Sequence, residues 1–377
     1  MLRARKPVQE VGCPMGVMLV GFLGLSAANA GLAPLLGKTD TVVLREPAVY
    51  VCFPFLWQEG DVLHATVGTR VRVSHIDATG GSRAMTSTDG GLTWREDQST
   101  TGPCWRFPSG RLLWANGVGW EEYPAEKQGE LESHGLEVRP VREGVVAVTH
   151  RAVARYSDDH GLTWRTLDIP VPRLALLMGF HGGVLLCSGV VLVPVYGREK
   201  VGDAYRAWVL RSADEGENWD LLPMAEDPQG KIGFDEASLL ELPEGRVLAM
   251  IRTENADGFM YQVQSPDEGL TWSEPESSGI WGHPPNLLLL QSRRILCTYG
   301  YRRPPYGVRA VLSSDGGTTW HPADGIVLRD DGASRDLGYP MSAQLSDGRI
   351  VTVYYFTDAQ GVTFVAASLY EEAFLAQ

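Results

Sequence analysis

Hydrophobic and polar positions alternate in short stretches along this chain and rarely follow a helical period. Phrases such as RFPSGRLLWA (106–115), ELPEGRVLAM (241–250), LQSRRILCTY (290–299) and QLSDGRIVTV (344–353) each predict a strand, a polar turn and a returning strand. No amphipathic helical pattern of about twelve residues interrupts the series. The pattern therefore predicts an all-β protein made of short antiparallel strands.

A second pattern, S-x-D-x-G-x-T-W, recurs five times with small variations. The copies begin at Ser87, Ser157, Ser212, Ser265 and Ser313, so the intervals are 70, 55, 53 and 48 residues. Repeats of this length are typical of propeller blades. Six units are expected, near residues 43–97, 104–167, 183–222, 235–275, 285–323 and 339–371, the last without the repeat.

These units predict one six-bladed β-propeller over residues 39–377. We expect one terminal segment to pair with the blade that contains the other, because a closed ring leaves no long open sheet edge. The wide first interval holds a Glu-rich insertion, about 117–143, which we interpret as a surface loop at the rim of the central pocket.

Each residue type in the repeat has a structural use. The Asp side chain can accept hydrogen bonds from turn amides, the Gly supplies a positive φ, and the Trp buries a large ring beside the hairpin. We therefore assign no chemistry to the repeat aspartates, which are Asp89, Asp159, Asp214, Asp267 and Asp315. The repeats resemble the Asp-boxes of the sialidase superfamily, which lie on blade hairpins away from the active site. This resemblance implies a sialidase-like propeller with five Asp-box hairpins.

Further segments resemble the parts of a sialidase that carry its carboxylate-binding arginines. FDEASLLELPEGRVLAMIRTEN (234–255) is similar to the segment with the catalytic Glu and the second arginine, which fall on Glu236 and Arg252. VVLREPAVY resembles the Arg-Ile-Pro motif, with Glu in place of Ile, and implies that Arg45 is the first arginine of the clamp.

The third arginine is expected in TYGYRRPPYGVRAVLSSDGG (298–317), where Arg302, Arg303 and Arg309 compete. Alternation along a strand sends the side chains of Arg302 and Arg303 in opposite directions, so only one of them can face the axis. We favour Arg302.

The remaining site residues also follow from the resemblance. RDLGYPMSAQLSDGR (335–349) is similar to the late tyrosine segment of sialidases and implies Tyr339 as the nucleophile. SHIDATGGSR (74–83) implies Asp77 as the acid/base. His283, in WGHPPNL, is an additional candidate for the pocket.

These residue types suit one reaction. A sialoside carries a carboxylate on its anomeric carbon, so a tyrosine activated by a neighbouring Glu avoids the repulsion that a carboxylate nucleophile would meet. Arginine forks bind a carboxylate through two parallel hydrogen bonds. Asp77 would protonate the departing oxygen and later activate water.

The resemblance thus implies an exo-glycosidase that acts on a terminal sialic acid or related acidic sugar with retention of configuration. Two alternatives stay open. One is a non-catalytic propeller that binds carbohydrate or assembles proteins, and the other is a propeller glycosidase or lyase that acts on uronic-acid polymers.

The charge and cysteine content of the chain limit the classes of partner and cofactor that we expect. Lys plus Arg number 33 and Asp plus Glu 46, and the net charge of −13 disfavours nucleic acid as a partner. The five cysteines are scattered singly, with no Cys/His cluster at zinc spacing, so we expect neither a metal site nor a cofactor. The acidic loop 330–336 is too irregular to match a known calcium-binding pattern, so the sequence leaves calcium binding open. The sequence specifies no oligomeric state.

The first 38 residues have the features of a leader. Arg3, Arg5 and Lys6 precede an apolar run at 16–25 and an A-x-A-like site at 28–30. The run is too short for a membrane-spanning helix. We therefore predict a signal peptide at 1–38 and export to the periplasm or the exterior, with a cytoplasmic location as the alternative.

Overall fold

The computed structural model describes residues 37–70, 80–97, 102–115, 118–179, 182–322 and 325–376. The predicted leader lies almost wholly outside these residues. Within them, the strands in chain order are β1 (Lys38–Leu44), β2 (Tyr50–Glu59), β3 (Val62–Arg70), β4 (Gly80–Ser87), β5 (Arg95–Glu96), β6 (Trp105–Arg106), β7 (Leu112–Trp114), β8 (Gly119–Pro124), β9 (Arg139–Arg142), β10 (Val145–Ser157), β11 (Arg165–Ile169), β12 (Leu176–Gly179), β13 (Val184–Leu185), β14 (Val191–Arg198), β15 (Arg206–Ser212), β16 (Asp220–Ala225), β17 (Gly233–Glu241), β18 (Val247–Glu254), β19 (Phe259–Ser265), β20 (Glu276–Trp281), β21 (Pro285–Leu289), β22 (Ile295–Tyr301), β23 (Tyr306–Ser313), β24 (Ile326–Gly332), β25 (Gly338–Gln344), β26 (Arg349–Thr357) and β27 (Thr363–Glu371). One short helix, α1 (Gln128–Ser133), and 3-10 turns at Ala125–Lys127 and Glu372–Ala376 complete the described elements.

The strands pair into six antiparallel sheets, the blades of a β-propeller. The sheet orders are β2-β3-β4-β5, β6-β7-β10-β11, β12-β14-β15-β16, β17-β18-β19-β20, β21-β22-β23-β24 and β25-β26-β27-β1. First strands of successive blades pack against one another, as β17 does on β21, β21 on β25, and β25 on β2. The six-bladed, all-β architecture predicted from the repeats is confirmed.

The ring closes through its first strand. β1 pairs with β27, with Lys38 opposite Tyr370 and Val42 opposite Ala366. Closure between the terminal segments was predicted, but the boundary of the first blade was not. Residues 43 and 44 belong to the outermost strand of the sixth blade, and the first blade begins at Tyr50.

The Asp-boxes use their carboxylates internally, as the sequence analysis expected. In the fourth copy, Asp267 accepts hydrogen bonds from Thr271 N at 2.8 Å, Thr271 Oγ1 at 2.6 Å and Ser265 Oγ at 2.9 Å. Ser265 Oγ in turn accepts the amide of Gly269 at 2.8 Å. Equivalent hydrogen bonds recur at the other four boxes, so each Asp carboxylate accepts hydrogen bonds from its own turn.

The last glycine of most boxes also fits the blade against its predecessor. Gly269 has φ +83°, and a Cβ placed on it would lie 2.8 Å from Cδ2 of Leu192 in the preceding blade. A Cβ placed on Gly216 would likewise lie 2.8 Å from Cδ1 of Leu113 in the preceding blade. The box therefore shapes both its hairpin and the contact between blades.

We expect Gly269→Ala to destabilise the fold more than Gly189→Ala, although both glycines have positive φ. Gly189, at φ +93°, has no neighbour within 4 Å of an added Cβ, so that variant carries only the backbone penalty of about 1–2 kcal/mol. Gly269→Ala adds overpacking against Leu192, about 1–3 kcal/mol more. Urea unfolding of both variants measures the difference, and equal midpoints would reject the inter-blade role.

The insertion contains strands and a helix over its described residues, 118–143, which corrects its interpretation as a loop. β8 and β9 both pair with the first half of β10, and α1 packs Leu131 beside Val146 and Val148. The end of β10 leads into an Asp-box at Ser157. The beginning of β10, together with the insertion, therefore lies on the face of the propeller opposite the Asp-boxes.

No helix among the described ranges is long and apolar enough to cross a membrane. In the same ranges, no three His, Cys, Asp or Glu side chains are grouped so that they could hold a metal ion.

Candidate active site

The first strands of three blades share an irregularity close to their beginning. A β-bulge sets two residues of one strand against one of its partner and re-aims their side chains. Register shifts of this kind lie between Cys52 and Phe55 in β2, between Phe234 and Ala237 in β17, and between Gly338 and Met341 in β25. The bulged residues include Phe53, Asp235, Glu236 and Tyr339, and the contacts below show that they meet on the face opposite the boxes.

The centre of the cluster is the carboxylate of Glu236. Tyr339 Oη donates a hydrogen bond to Glu236 Oε1 at 2.9 Å, although the residues are 103 positions apart. Arg252 Nη1 donates to Glu236 Oε2 at 2.7 Å. Both Glu236 and Tyr339 are buried, at 6% and 8% exposure. The fourth and sixth blades thus fix both oxygens of this carboxylate.

Tyr339 has an unusual backbone. Its φ is +52°, a region that costs a non-glycine residue energy and that clusters at functional sites. Burial raises the pKa of the Tyr339 phenol, and the charge of Glu236 raises it further. The phenol is therefore protonated at rest, with its proton directed at Glu236.

Aromatic side chains hold the Tyr339 ring. The ring of Phe53 meets it edge-on with 4.7 Å between centroids, and the ring of Tyr355 stacks on it at 5.8 Å. The carboxylate of Asp336 accepts hydrogen bonds from the hydroxyls of Tyr355, at 2.9 Å, and Tyr50. These contacts from the first and sixth blades restrict the direction of the phenol.

Arg302 and Arg303 follow the end of β22, and their side chains contact different groups. The guanidinium of Arg302 lies 5.5 Å from the Tyr339 ring centroid, and its Nε donates to Leu337 O at 3.1 Å. The guanidinium of Arg303 lies 3.7 Å from the centroid of Trp281 instead. Arg309, the third competitor, stacks on Tyr301 at 3.7 Å. Of the three, Arg302 is the one placed beside the phenol.

His283 is close enough to the arginines of this cluster for their charges to change its pKa. Its pKa is lowered to about 3 by burial and by the charges of Arg252, Arg302 and Arg335. The imidazole is therefore neutral at physiological pH, and its buried Nδ1 has no hydrogen-bond partner within the described residues. A neutral His283 can offer a hydrogen bond without adding charge.

Arg335 is a site candidate that sequence reasoning missed. It stands four positions before Tyr339, is exposed, and acts electrostatically on His283. It belongs to the RDLGYP segment that identified Tyr339, so proximity in sequence was the available indication.

Arg45, predicted as the first clamp arginine, is placed elsewhere. It follows β1, the outermost strand of the sixth blade, so it does not open the first blade as the sequence suggested. Its Nη2 pairs with Asp358 Oδ2 at 2.6 Å, and its guanidinium lies over the ring of Phe364. The carboxylate on the β26–β27 turn thus binds the cation that was expected in the pocket. Asp77 lies outside the described residues, in the segment that joins β3 to β4, and its assignment stays a prediction.

Two further neighbours were not foreseen. Asp235 is buried at 4% exposure and its Oδ2 lies 3.3 Å from Arg252 Nε. Tyr196, in β14, has its pKa raised first by burial and then by the charges of Glu236 and Asp235. Ordinary strand alternation would point Asp235 away from Glu236, so a pattern-based analysis assigns it no role.

A family model described as a BNR repeat-like domain matches residues 141–353. Among curated relatives, an anhydrosialidase of Macrobdella decora is 30% identical over 135 residues, which is 33% of this chain and 17% of that protein. A sialidase of Bacteroides fragilis is 25% identical over 334 residues, 78% of this chain and 56% of that protein. This chain therefore matches little more than half, or less, of the length of these relatives.

Solved structures agree on the fold. A protein of unknown function from Dyadobacter fermentans superposes with a TM-score of 0.73 and 26% identity, over 89% of this chain and 100% of that one. An intramolecular trans-sialidase from Ruminococcus gnavus superposes with a TM-score of 0.60 and 15% identity, over 92% and 99%. The chain belongs to the BNR repeat-like family and is a sialidase-like member of it.

Proposed function

We propose that this protein is an exo-glycosidase of the sialidase type that hydrolyses the bond to a terminal sialic acid or a related acidic sugar. The observation that carries the proposal is the bond between Tyr339 Oη and Glu236 Oε1, 2.9 Å long, with Arg252 on the other carboxylate oxygen. This is the arrangement of a nucleophile and its base, with the base held by a third group.

The proposed reaction has two displacements. Tyr339 Oη attacks the anomeric carbon and passes its proton to Glu236, while an acid protonates the leaving oxygen and the glycosidic bond breaks. Asp77 is our candidate for that acid. Water then attacks the anomeric carbon and gives a proton to the same acid/base group, the bond to Tyr339 Oη breaks, the phenolate recovers its proton from Glu236, and the sugar leaves with retained configuration.

Cations near the nucleophile support an anionic substrate. Arg252, Arg302 and Arg335 all act on His283, and Arg302 also approaches the Tyr339 ring. A guanidinium binds a carboxylate through charge-assisted hydrogen bonds. We infer that Arg252, Arg302 and Arg335 bind the substrate carboxylate in place of the predicted set that included Arg45.

The pairing of Arg45 with Asp358 favours a second candidate. A propeller that lacks one arginine of the expected clamp can serve as a binding platform that breaks no bond. Fluorogenic sialosides, uronic-acid glycosides and neutral glycosides, offered in parallel to the wild-type protein, separate the candidates. Release from the sialoside supports the proposed function. Release from the uronide alone supports the uronic-acid alternative, and release from none supports the platform.

We expect Arg302→Met to raise the KM for an acidic sugar by about 10-fold to 100-fold, because it removes hydrogen bonds to a charged group worth about 1.5–3 kcal/mol. Arg303→Met is the matched control, since it changes the neighbouring arginine, whose guanidinium lies over the ring of Trp281, and should alter KM less than about 3-fold. Steady-state kinetics measures both variants. Equal effects would contradict the assignment of Arg302.

A further inference from the structure

Asp235 is a buried carboxyl group that the proposed reaction does not use. The bulge in β17 sets Asp235 and Glu236 together against Arg252 of β18, so both side chains approach one guanidinium. Asp235 Oδ1 accepts the amide of Glu236 at 2.7 Å, and Oδ2 lies 3.3 Å from Arg252 Nε. Two buried acidic groups thus share one arginine, whose side chain is 22% exposed.

The two acidic groups hold Arg252 unequally. Glu236 receives a well-formed hydrogen bond from Nη1 at 2.7 Å. Nε, in contrast, is buried and makes no aligned hydrogen bond, although Asp235 lies within ion-pair distance. A fully charged Asp235 would be expected to draw this donor into line, because charge-assisted hydrogen bonds are short and strong. The geometry therefore fits an Asp235 that keeps its proton.

The charges around Asp235 agree with this. Burial raises its pKa to about 8, Arg252 of β18 opposes the rise, and Glu236 and Glu254 add to it. Tyr196 of β14, which packs against β17, and Tyr339, which bonds to Glu236, are phenols with raised pKa values. Arg252 is the cation whose charge lowers the pKa of Asp235, and Glu236 already binds it.

We propose that Asp235 is a positioning residue whose retained proton leaves Arg252 able to bind the substrate carboxylate, and that its ionisation withdraws Arg252 from the substrate. This inference rests on the proposed function. With Asp235 neutral, Arg252 and Glu236 form one neutral pair, and Nη2, which makes no hydrogen bond within the described residues, can meet an anion. With Asp235 charged, the pair gains a net negative charge beside the position of the substrate carboxylate.

The sign of the pH effect follows. Below the pKa of about 8 the site is in its binding form, and above it the fraction in that form falls about tenfold per pH unit. We therefore expect KM for a sialoside to rise above pH 8 with little change in kcat. Asp235→Asn, which cannot ionise, should keep KM level across the same range. In the control Glu254→Gln the alkaline rise should persist and begin at a slightly lower pH, because Glu254 is exposed and its charge adds to the pKa of Asp235.

A second readout does not depend on turnover. In protein labelled with ¹³C at the aspartate carboxyls, one resonance should titrate with a midpoint above pH 7, and it should be missing from Asp235→Asn. A midpoint below pH 7, or an alkaline rise of KM that persists in Asp235→Asn, overturns the inference. If the protein releases no sialic acid, the proposed function fails, and the carboxyl titration still decides whether Asp235 holds its proton.

Discussion

Replacing Tyr339 with phenylalanine is expected to lower kcat for a sialoside by about 10³-fold or more, since the variant loses the proposed nucleophile and the proton that it would pass to Glu236. The ring contacts with Phe53 and Tyr355 are kept, so the fold should survive. Steady-state kinetics and circular dichroism measure the two effects separately.

The matched control is Tyr354→Phe. Tyr354 is buried in the same blade, but its hydroxyl pairs with Ser368 Oγ at 2.8 Å and does not contact Glu236. Its loss should cost about 1 kcal/mol of folding stability and leave kcat unchanged. If Tyr339→Phe turned over the sialoside as fast as the control, Tyr339 would not be the nucleophile.

Replacing Arg252 with methionine is expected to destabilise the fold by about 3–5 kcal/mol, because breaking a buried ion pair from one side leaves uncompensated charge in the interior. The side chain of Arg252 is 22% exposed, and those of Asp235 and Glu236 only 4% and 7%. Urea unfolding at neutral pH measures the loss. Activity should also disappear, since the variant has lost one arginine of the proposed clamp and the group that orients Glu236.

A combined variant separates the two losses. Adding Glu236→Gln and Asp235→Asn to Arg252→Met removes the orphaned carboxyls, so most of the lost stability should return while activity stays absent. Arg303→Met, on a stacked surface arginine, should cost less than about 1 kcal/mol. A cost for Arg252→Met as small as that of Arg303→Met would show that the cluster is not a stabilising ion-pair network.

The fold could be predicted because its determinants are local and repeated. Each Asp-box needs only its own Ser, Asp, Gly and Thr, with Asn218 in place of Thr in the third copy, to close a turn, so the same local interactions occur five times. The predicted boundary of the first blade was wrong because the sequence pattern of β1 does not differ from that of the other strands. Only its long-range pairing with β27 assigns it to the sixth blade.

The site was predictable in part for a similar reason. Glu236, Arg252 and Tyr339 lie in segments whose sequences resemble sialidase motifs, and the three side chains meet in the structure. The place of Asp235 in the site was not predicted, because the direction of its side chain depends on a bulge that a strand pattern of period two does not reveal. The position of Arg45 escaped because Asp358, 313 residues away, binds it.

The most direct test of this account is to trap the reaction on Tyr339. A fluorinated sialic acid donor with a good leaving group slows the second displacement, so a glycosyl-enzyme should accumulate, and peptide mass spectrometry locates the attached sugar. We predict one adduct, on the peptide that contains Tyr339, and none in Tyr339→Phe. Turnover of the sialoside with the adduct on another residue would contradict the account.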